Sequence, residues 1–145
     1  MRQIKFRAWD NQKKKMILDV GVFDNMAVLE PQYVYDSPER QIVELKGSIL
    51  MQFTGLLDKN GKEIYEGDIV EWDDDSLGRW RRRCEVIYTP AHYRLVGYYY
   101  DIRNPEIKNP IEFECGSFHY EKRTEKELEI IGNIYENPEL LVIRE

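Results

Sequence analysis

The sequence predicts a small, mainly β protein built on a sharply curved sheet, and three observations carry that prediction. The first is the stretch from Leu50 to Trp72, LMQFTGLLDKNGKEIYEGDIVEW. In it two apolar runs flank Asp58-Lys59-Asn60-Gly61-Lys62. Asn-Gly supplies two residues that tolerate positive φ, as a tight hairpin between right-twisted strands requires. The second is Glu66-Gly67-Asp68, which turns the chain again at once before the β-branched and aromatic Ile69-Val70-Glu71-Trp72. The third is composition: 42% hydrophobic and 12% aromatic residues in 145 positions can fill a real core, despite 33% charged residues. One domain is expected at this length.

The remaining elements follow in chain order. Ile4, Phe6 and Ala8 alternate with Lys5, Arg7 and Trp9, which reads as a half-buried strand. Asp10 to Lys14 is a polar turn, and Lys15-Met16-Ile17-Leu18 returns as the second strand of a hairpin. The three consecutive lysines belong to that solvated turn, with Asp10 and Asp19 close by. Gly21 to Pro38 is punctuated by Pro31 and Asp36-Ser37-Pro38, so it reads as irregular with one or two short strands. Ile42 to Leu45 is another strand, and Gly47-Ser48 turns it into the Leu50–Trp72 stretch.

Beyond Trp72, the acidic Asp73-Asp74-Asp75, the apex Ser76-Leu77-Gly78 and the basic Arg79-Trp80-Arg81-Arg82-Arg83 describe the tip of a long hairpin. Cys84 to Tyr88 continues it as a strand. Thr89 to His92 turns the chain into Tyr93–Asp101, an aromatic strand in which Gly97 predicts a bulge or bend. Ile102 to Pro110 contains Asn104-Pro105 and Asn109-Pro110 and is expected to be an exposed loop. Ile111 to Cys115 alternates as a strand. Ser117 to Glu127 is charged and exposed, with a helical turn at Thr124–Glu127. Leu128 to Tyr135 forms the last strand, and Asn137-Pro138 starts a short C-terminal helix to Val142.

Several function classes find little support. The net charge of -6 repels nucleic acid and anionic membrane over the molecule as a whole, although a local basic face is compatible with it. No apolar run spans a bilayer. MRQIKFRAWD lacks the apolar core of a signal peptide, so a cytoplasmic protein with Cys84 and Cys115 as thiols is expected. Cys84, His92, Cys115 and His119 are spaced C-x7-H-x22-C-x3-H, whose first pair is too wide for a zinc hook. Asp73, Asp75 and Gly78 match a calcium loop only in part, because Leu77 and Cys84 occupy ligand positions. Ser117 and His119 lie outside any nucleophile motif, and there is no P-loop and no G-x-G-x-x-G. No catalytic residue, cofactor or metal is therefore expected. Asp68 is expected to accept from turn N–H groups ahead of its strand, and Asn133 to tie a bulge.

The candidate interaction surface is Arg79, Trp80, Arg81, Arg82 and Arg83, with Tyr88, Tyr93, Tyr98, Tyr99 and Tyr100 on neighbouring strands. Guanidinium groups grip phosphates and aromatic faces stack on bases, so the composition suits single-stranded nucleic acid. Against this, Glu71 and Asp73–Asp75 on the opposite arm are placed to pair across the strands and neutralise the patch. Trp, Tyr and Arg also dominate protein interfaces.

Three blocks resemble the YopX-like family of phage and prophage proteins. They are Lys5-Phe6-Arg7-Ala8-Trp9-Asp10 ahead of Met16, the run FTGLLDKNGKEIYEGDIV, and Ile130 to Leu141 (IIGNIYENPELL). They keep the family's order across nearly the whole chain, while residues 73–127 match no block. The resemblance implies a compact β fold with an SH3-like barrel, phage origin and no established activity. The expectation is thus one YopX-like domain over 1–145: a hairpin and irregular segment over 1–44, a barrel over 45–135, and a helical turn and tail over 136–145. Its expected role is a non-catalytic module that binds a protein partner or itself. Nucleic-acid binding through residues 79–83 is the alternative.

Overall fold

The computed structural model describes residues 3–24, 26–29, 43–73, 77–89, 93–113 and 127–142. The chain is mainly β, as its sequence predicts, and divides into two compact units, Met1–Phe53 and Thr54–Glu145. The expected helical turn at 124–127 falls outside the described residues except for Glu127, as do the continuations at 30–42 and 114–123.

In the first unit, β1 (Phe6–Asp10) pairs antiparallel with β2 (Lys15–Ile17), placing Ala8 opposite Ile17 and Asp10 opposite Lys15. The Asp10 carboxylate closes the turn by accepting from the Gln12 and Lys13 amides, each at 2.9 Å. β3 (Gly21–Phe23), β4 (Met26–Leu29) and β5 (Val43–Glu44) form a separate three-stranded sheet. β6 (Ser48–Leu57) lines the other side of β1, with Ala8 opposite Leu50. Phe6, Ile17, Leu45 and Leu50 pack on the buried Ala8 and Val20. The expected alternation fails in β1: Arg7, Ala8 and Trp9 are all buried, whereas Ile4 is exposed. Successive residues of β1 are buried on both faces, so period-two patterning no longer marks one side.

β6 runs across the boundary, and beyond Phe53 it pairs with β7 (Glu63–Tyr65). The connection differs from a two-residue Asn-Gly turn. Gly61 donates to the Asp58 carbonyl at 2.9 Å, Asp58 donates to the Lys62 carbonyl at 2.8 Å, and Gly61 has φ 78°. The loop is Lys59-Asn60-Gly61, a turn followed by one left-handed residue, so only the glycine needs positive φ. The side chain of Asp58, 2% exposed, accepts from Asn60 and Lys62 on one oxygen and from Ile130 on the other. Burial opposes its ionisation, but the amides of Lys62, Ile130 and Asn60 outweigh that and hold its pKa below the ordinary value. Asp68 does what the sequence suggests, accepting from the Tyr65 amide at 2.8 Å.

The rest of the second unit is an antiparallel sheet. β8 (Asp68–Asp73), β9 (Trp80–Tyr88), β10 (Tyr93–Asp101), β11 (Asn104–Phe113) and β12 (Glu129–Asn133) stand in the order β11-β10-β9-β8-β12. Ile64, Val70, Cys84, Val86, Leu95 and Leu128 form its core. Two expectations are corrected here. Residues 104–110 are strand, not loop, because β11 is an edge strand and an edge tolerates prolines that lack a donor. The irregularity of β10 lies between Tyr100 and Asp101 rather than at Gly97, where the register is continuous. Gly97 has another reason: a Cβ there would lie 2.0 Å from the Arg83 carbonyl oxygen.

At the C-terminal end, the bulge in β12 lies between Ile130 and Gly132. Asn133 ties the turn that follows, accepting from the Tyr135 and Glu136 amides at 3.1 and 3.0 Å. Pro138–Leu141 is a single 3₁₀ turn. Asn137 makes no side-chain cap to it; its carboxamide oxygen accepts instead from the Asn133 amide at 3.4 Å. That turn places Leu140 over the face of the sheet carrying the candidate surface.

Candidate functional site

Strand register assembles the candidate surface. Glu71, Trp72 and Asp73 on β8 stand opposite Arg83, Arg82 and Arg81 on β9. On its other side β9 sets Arg83, Arg82, Arg81 and Trp80 against Tyr98, Tyr99, Tyr100 and Asp101 of β10. Because strand side chains alternate, Arg81 and Arg83 share one face with Glu71, Asp73, Tyr98 and Tyr100. Trp80 and Arg82 point to the opposite face with Trp72 and Tyr99. The sequence-predicted residues are therefore adjacent along β9 but divided between two faces.

On the arginine face, Glu71 is the hub. Arg83 Nε donates to its Oε2 at 2.8 Å, and Arg81 Nη1 to its Oε1 at 3.3 Å. Arg81 Nε also donates to Asp73 at 3.0 Å. Tyr100 Oη donates to Glu71 at 2.9 Å, while Tyr98 Oη donates to the Leu140 carbonyl at 2.6 Å. Arg83 reaches both tyrosine hydroxyls and that same carbonyl. Burial disfavours charge on Arg83, but the hydrogen bond and charge of Glu71 prevail and raise its pKa. The Tyr100 hydroxyl is pushed up by burial and by Glu71. Among the described residues this is a neutralised network, the outcome in which the acidic arm pairs with the basic one; Asp74, Asp75 and Ser76 lie outside them.

At the end of the sheet, Arg79 Nε donates to Asp101 Oδ2 at 2.9 Å, and Arg103 Nη2 to the same oxygen at 2.8 Å. The hydrogen bonds from Arg103, with those from Arg79, hold the Asp101 carboxyl well below the usual carboxylate range. The Arg79 guanidinium lies 5.3 Å from the Trp80 ring centroid, and Trp80 meets Tyr99 edge-on at 5.8 Å. Leu77 and Ile102, in the turns at this end of the sheet, are 86% and 47% exposed. The arrangement is an aromatic pair at a sheet end whose Arg79 and Arg103 guanidinium groups are already on the Asp101 carboxylate. Asp101 is the member that the sequence reading missed, since only the β9–β10 register and the turn after it bring Asp101 to Arg79.

The nucleophile and metal candidates contribute little here. Cys84 is fully buried, and burial pushes its thiol up to about 12, so it is a core residue with no accessible thiolate. His92, Cys115, Ser117 and His119 lie outside the described residues. Among the described residues no three His, Cys, Asp or Glu side chains are grouped as a metal ion would require. No described helix is long and apolar enough to cross a membrane.

The chain is similar to two proteins of known structure. One is protein EF1440 from Enterococcus faecalis, at 27% identity and a TM-score of 0.59, covering 98% of this chain and 100% of the other. The other is protein yopX from Bacillus subtilis, at 21% identity and a TM-score of 0.56, covering 100% of both chains. No curated protein matches. The profile of the YopX protein family matches residues 5–142, over all three blocks that carried the resemblance, and the chain belongs to that family.

Proposed function

We propose that this chain is a non-catalytic protein-interaction module, a phage- or prophage-encoded accessory protein acting in the bacterial cytoplasm, with its β sheets closing as an SH3-like barrel. It docks a protein partner, or a second copy of itself, through the end of the sheet that carries Arg79, Trp80, Arg81, Arg82 and Arg83. One observation carries this reading: Arg79, Arg81 and Arg83 are each engaged by a carboxylate, while the Trp80–Tyr99 pair, on the face opposite Arg81 and Arg83, shares its end of the sheet with the exposed Leu77 and Ile102. A phosphate ligand must displace those carboxylates, whereas a protein surface need only cover the aromatic and apolar groups.

The test compares the parent, Trp80→Ala, and Arg81, Arg82 and Arg83 replaced together by Ala. Immobilised chain is exposed to lysate of bacteria carrying the phage, and labelled single-stranded oligonucleotide is titrated in parallel. Docking predicts a partner band, or a concentration-dependent dimer in sedimentation, lost with Trp80→Ala and little changed between roughly 50 and 200 mM salt. Oligonucleotide binding that collapses over that salt range and vanishes in the triple variant reverses the assignment in favour of nucleic acid.

A further inference from the structure

Away from the Trp80 end, the second unit holds a carboxylate with an unfinished environment. Glu85 is half-buried on β9, opposite Ile69 of β8 and Val96 of β10. It has no hydrogen-bond or ion-pair partner among the described residues. With Val96, Tyr98, Pro110 and Leu141 it lines an open groove of about 510 Å³. That size lies within the range of roughly 300–1,000 Å³ that ligand sites occupy. Two cations on the same face, Arg83 and Lys108, are committed elsewhere. Arg83 is bound to Glu71, Tyr98, Tyr100 and Leu140. Lys108 Nζ donates to the Val142 carbonyl and sits over the Tyr98 ring, and Arg94 stands one pair further along, opposite Ile87. Burial with nothing opposing it pushes the Glu85 carboxyl above its ordinary pKa. Partly desolvated charges in proteins are normally paired, so this groove has apolar walls and a negative floor that lacks its counter-charge.

We propose that the groove is a docking site for a basic side chain, arginine above lysine, presented by a segment of a protein partner. Its guanidinium sits on Glu85 and its methylene stem lies along Val96, Pro110 and Leu141. Charge complementarity selects this occupant: the walls suit a hydrocarbon stem, and the Glu85 carboxylate suits a planar fork that binds bidentately and gives up water readily. The site is separate from the Trp80–Tyr99 end and stands whether or not that end docks a partner.

The test is a titration of the isotope-labelled full chain with the blocked peptide Gly-Gly-Arg-Gly-Gly, and with the same peptide carrying uncharged citrulline, followed by amide correlation spectra. The arginine peptide is expected to shift the amides of Glu85, Val96, Tyr98 and Leu141. The citrulline peptide should bind about tenfold more weakly or worse, the size of a lost charge-assisted hydrogen bond. Glu85→Gln should abolish that difference while keeping the dispersed spectrum of the parent. Val96→Arg, which places the chain's own guanidinium beside Glu85, should block the peptide in the same way and serves if the first variant folds poorly. Equal binding of the two peptides, or an arginine preference that survives in Glu85→Gln, overturns the proposal. Trp80→Ala should leave this titration unchanged, so its failure is distinguishable from that of the docking end.

Discussion

At the residue scale, the buried carboxylates Asp58 and Asp68 are the most informative side chains, because each accepts hydrogen bonds from backbone amides. Asp58 answers three amides on two oxygens: Asn60, Lys62 and Ile130. Asn has the same shape but only one accepting oxygen, so Asp58→Asn should turn an –NH2 toward at least one of those donors. A loss of about 1–3 kcal/mol is expected, measured by urea unfolding near neutral pH. The sign of the pH dependence follows from the lowered pKa. Asp58 contributes stability that is present above its unfolded-state pKa and is lost as pH falls through its folded-state value. The gap between parent and Asp58→Asn should therefore narrow as the solution is acidified through the carboxylate range. A gap that stays constant would mean that the charge is not what the amides recognise. Asp68 does comparable work for the Tyr65 amide, and its role could be read from Gly67-Asp68 alone, since Asx side chains favour such turns.

At the element scale, two glycines of the second unit separate backbone constraint from side-chain constraint. A Cβ at Gly97 meets the Arg83 carbonyl oxygen at 2.0 Å and the Cys84 Cα at 2.7 Å, both main-chain atoms of a paired strand. A Cβ at Gly132 meets the Asn137 carboxamide oxygen at 2.5 Å, the end of a side chain that can turn away. Gly97→Ala should thus cost about 3 kcal/mol or more and disturb β9–β10 pairing. Gly132→Ala should cost about 1 kcal/mol, mainly through the lost Asn133–Asn137 contact. Thermal unfolding of the two variants side by side checks the order; Gly132→Ala proving the more damaging would contradict it. The same strands explain the tip. Glu71 stands opposite Arg83 and Asp73 opposite Arg81, so the charge of one arm answers the other wherever the hairpin register holds. The exposed Arg81–Asp73 pair is worth only about 0–1 kcal/mol, and the part-buried Arg83–Glu71 pair offsets its attraction against desolvation. Their consequence is for recognition: they remove free cations from the surface more than they hold the fold.

At the scale of the whole molecule, the two units differ, among the described residues, in the make-up of their apolar clusters. The core of the second contains Ile64, Val70, Cys84, Val86, Leu95 and Leu128, whereas the corresponding cluster of the first centres on Ala8 and Val20. Hydrogen exchange should therefore be slowest in β8, β9 and β10, and faster in β1 and β2, when followed amide by amide in the intact chain. Equal protection in both would show that the chain opens only as a whole. The net charge of -6 acts at this scale too. It favours a basic segment as partner over a polyanion, in line with both the paired arginines of β9 and the Glu85 groove.

Much of this was legible in the sequence because it is local. The Lys15 hairpin, the turns at Asp58–Lys62 and Glu66–Asp68, the aromatic strand 93–101 and the three family blocks are fixed by turn chemistry, β-propensity and period-two patterning within a few residues. The acidic and basic arms of the 71–83 hairpin can be read there as well, but whether they pair was decided by the β8–β9 register. What only the tertiary structure decided depends on who lies beside whom. Residues 104–110 became strand because their place at the sheet edge excuses their prolines, and Arg7 and Trp9 are buried along with Ala8 because both faces of β1 are covered. Gly97 is required by a backbone that approaches across the sheet, Asp101 meets Arg79 only through register, and Glu85 gains its apolar walls from β10, β11 and the C-terminal turn. A strand's sequence specifies which residues alternate, but its position in the sheet determines whether one face or both are buried and which side chains stand opposite.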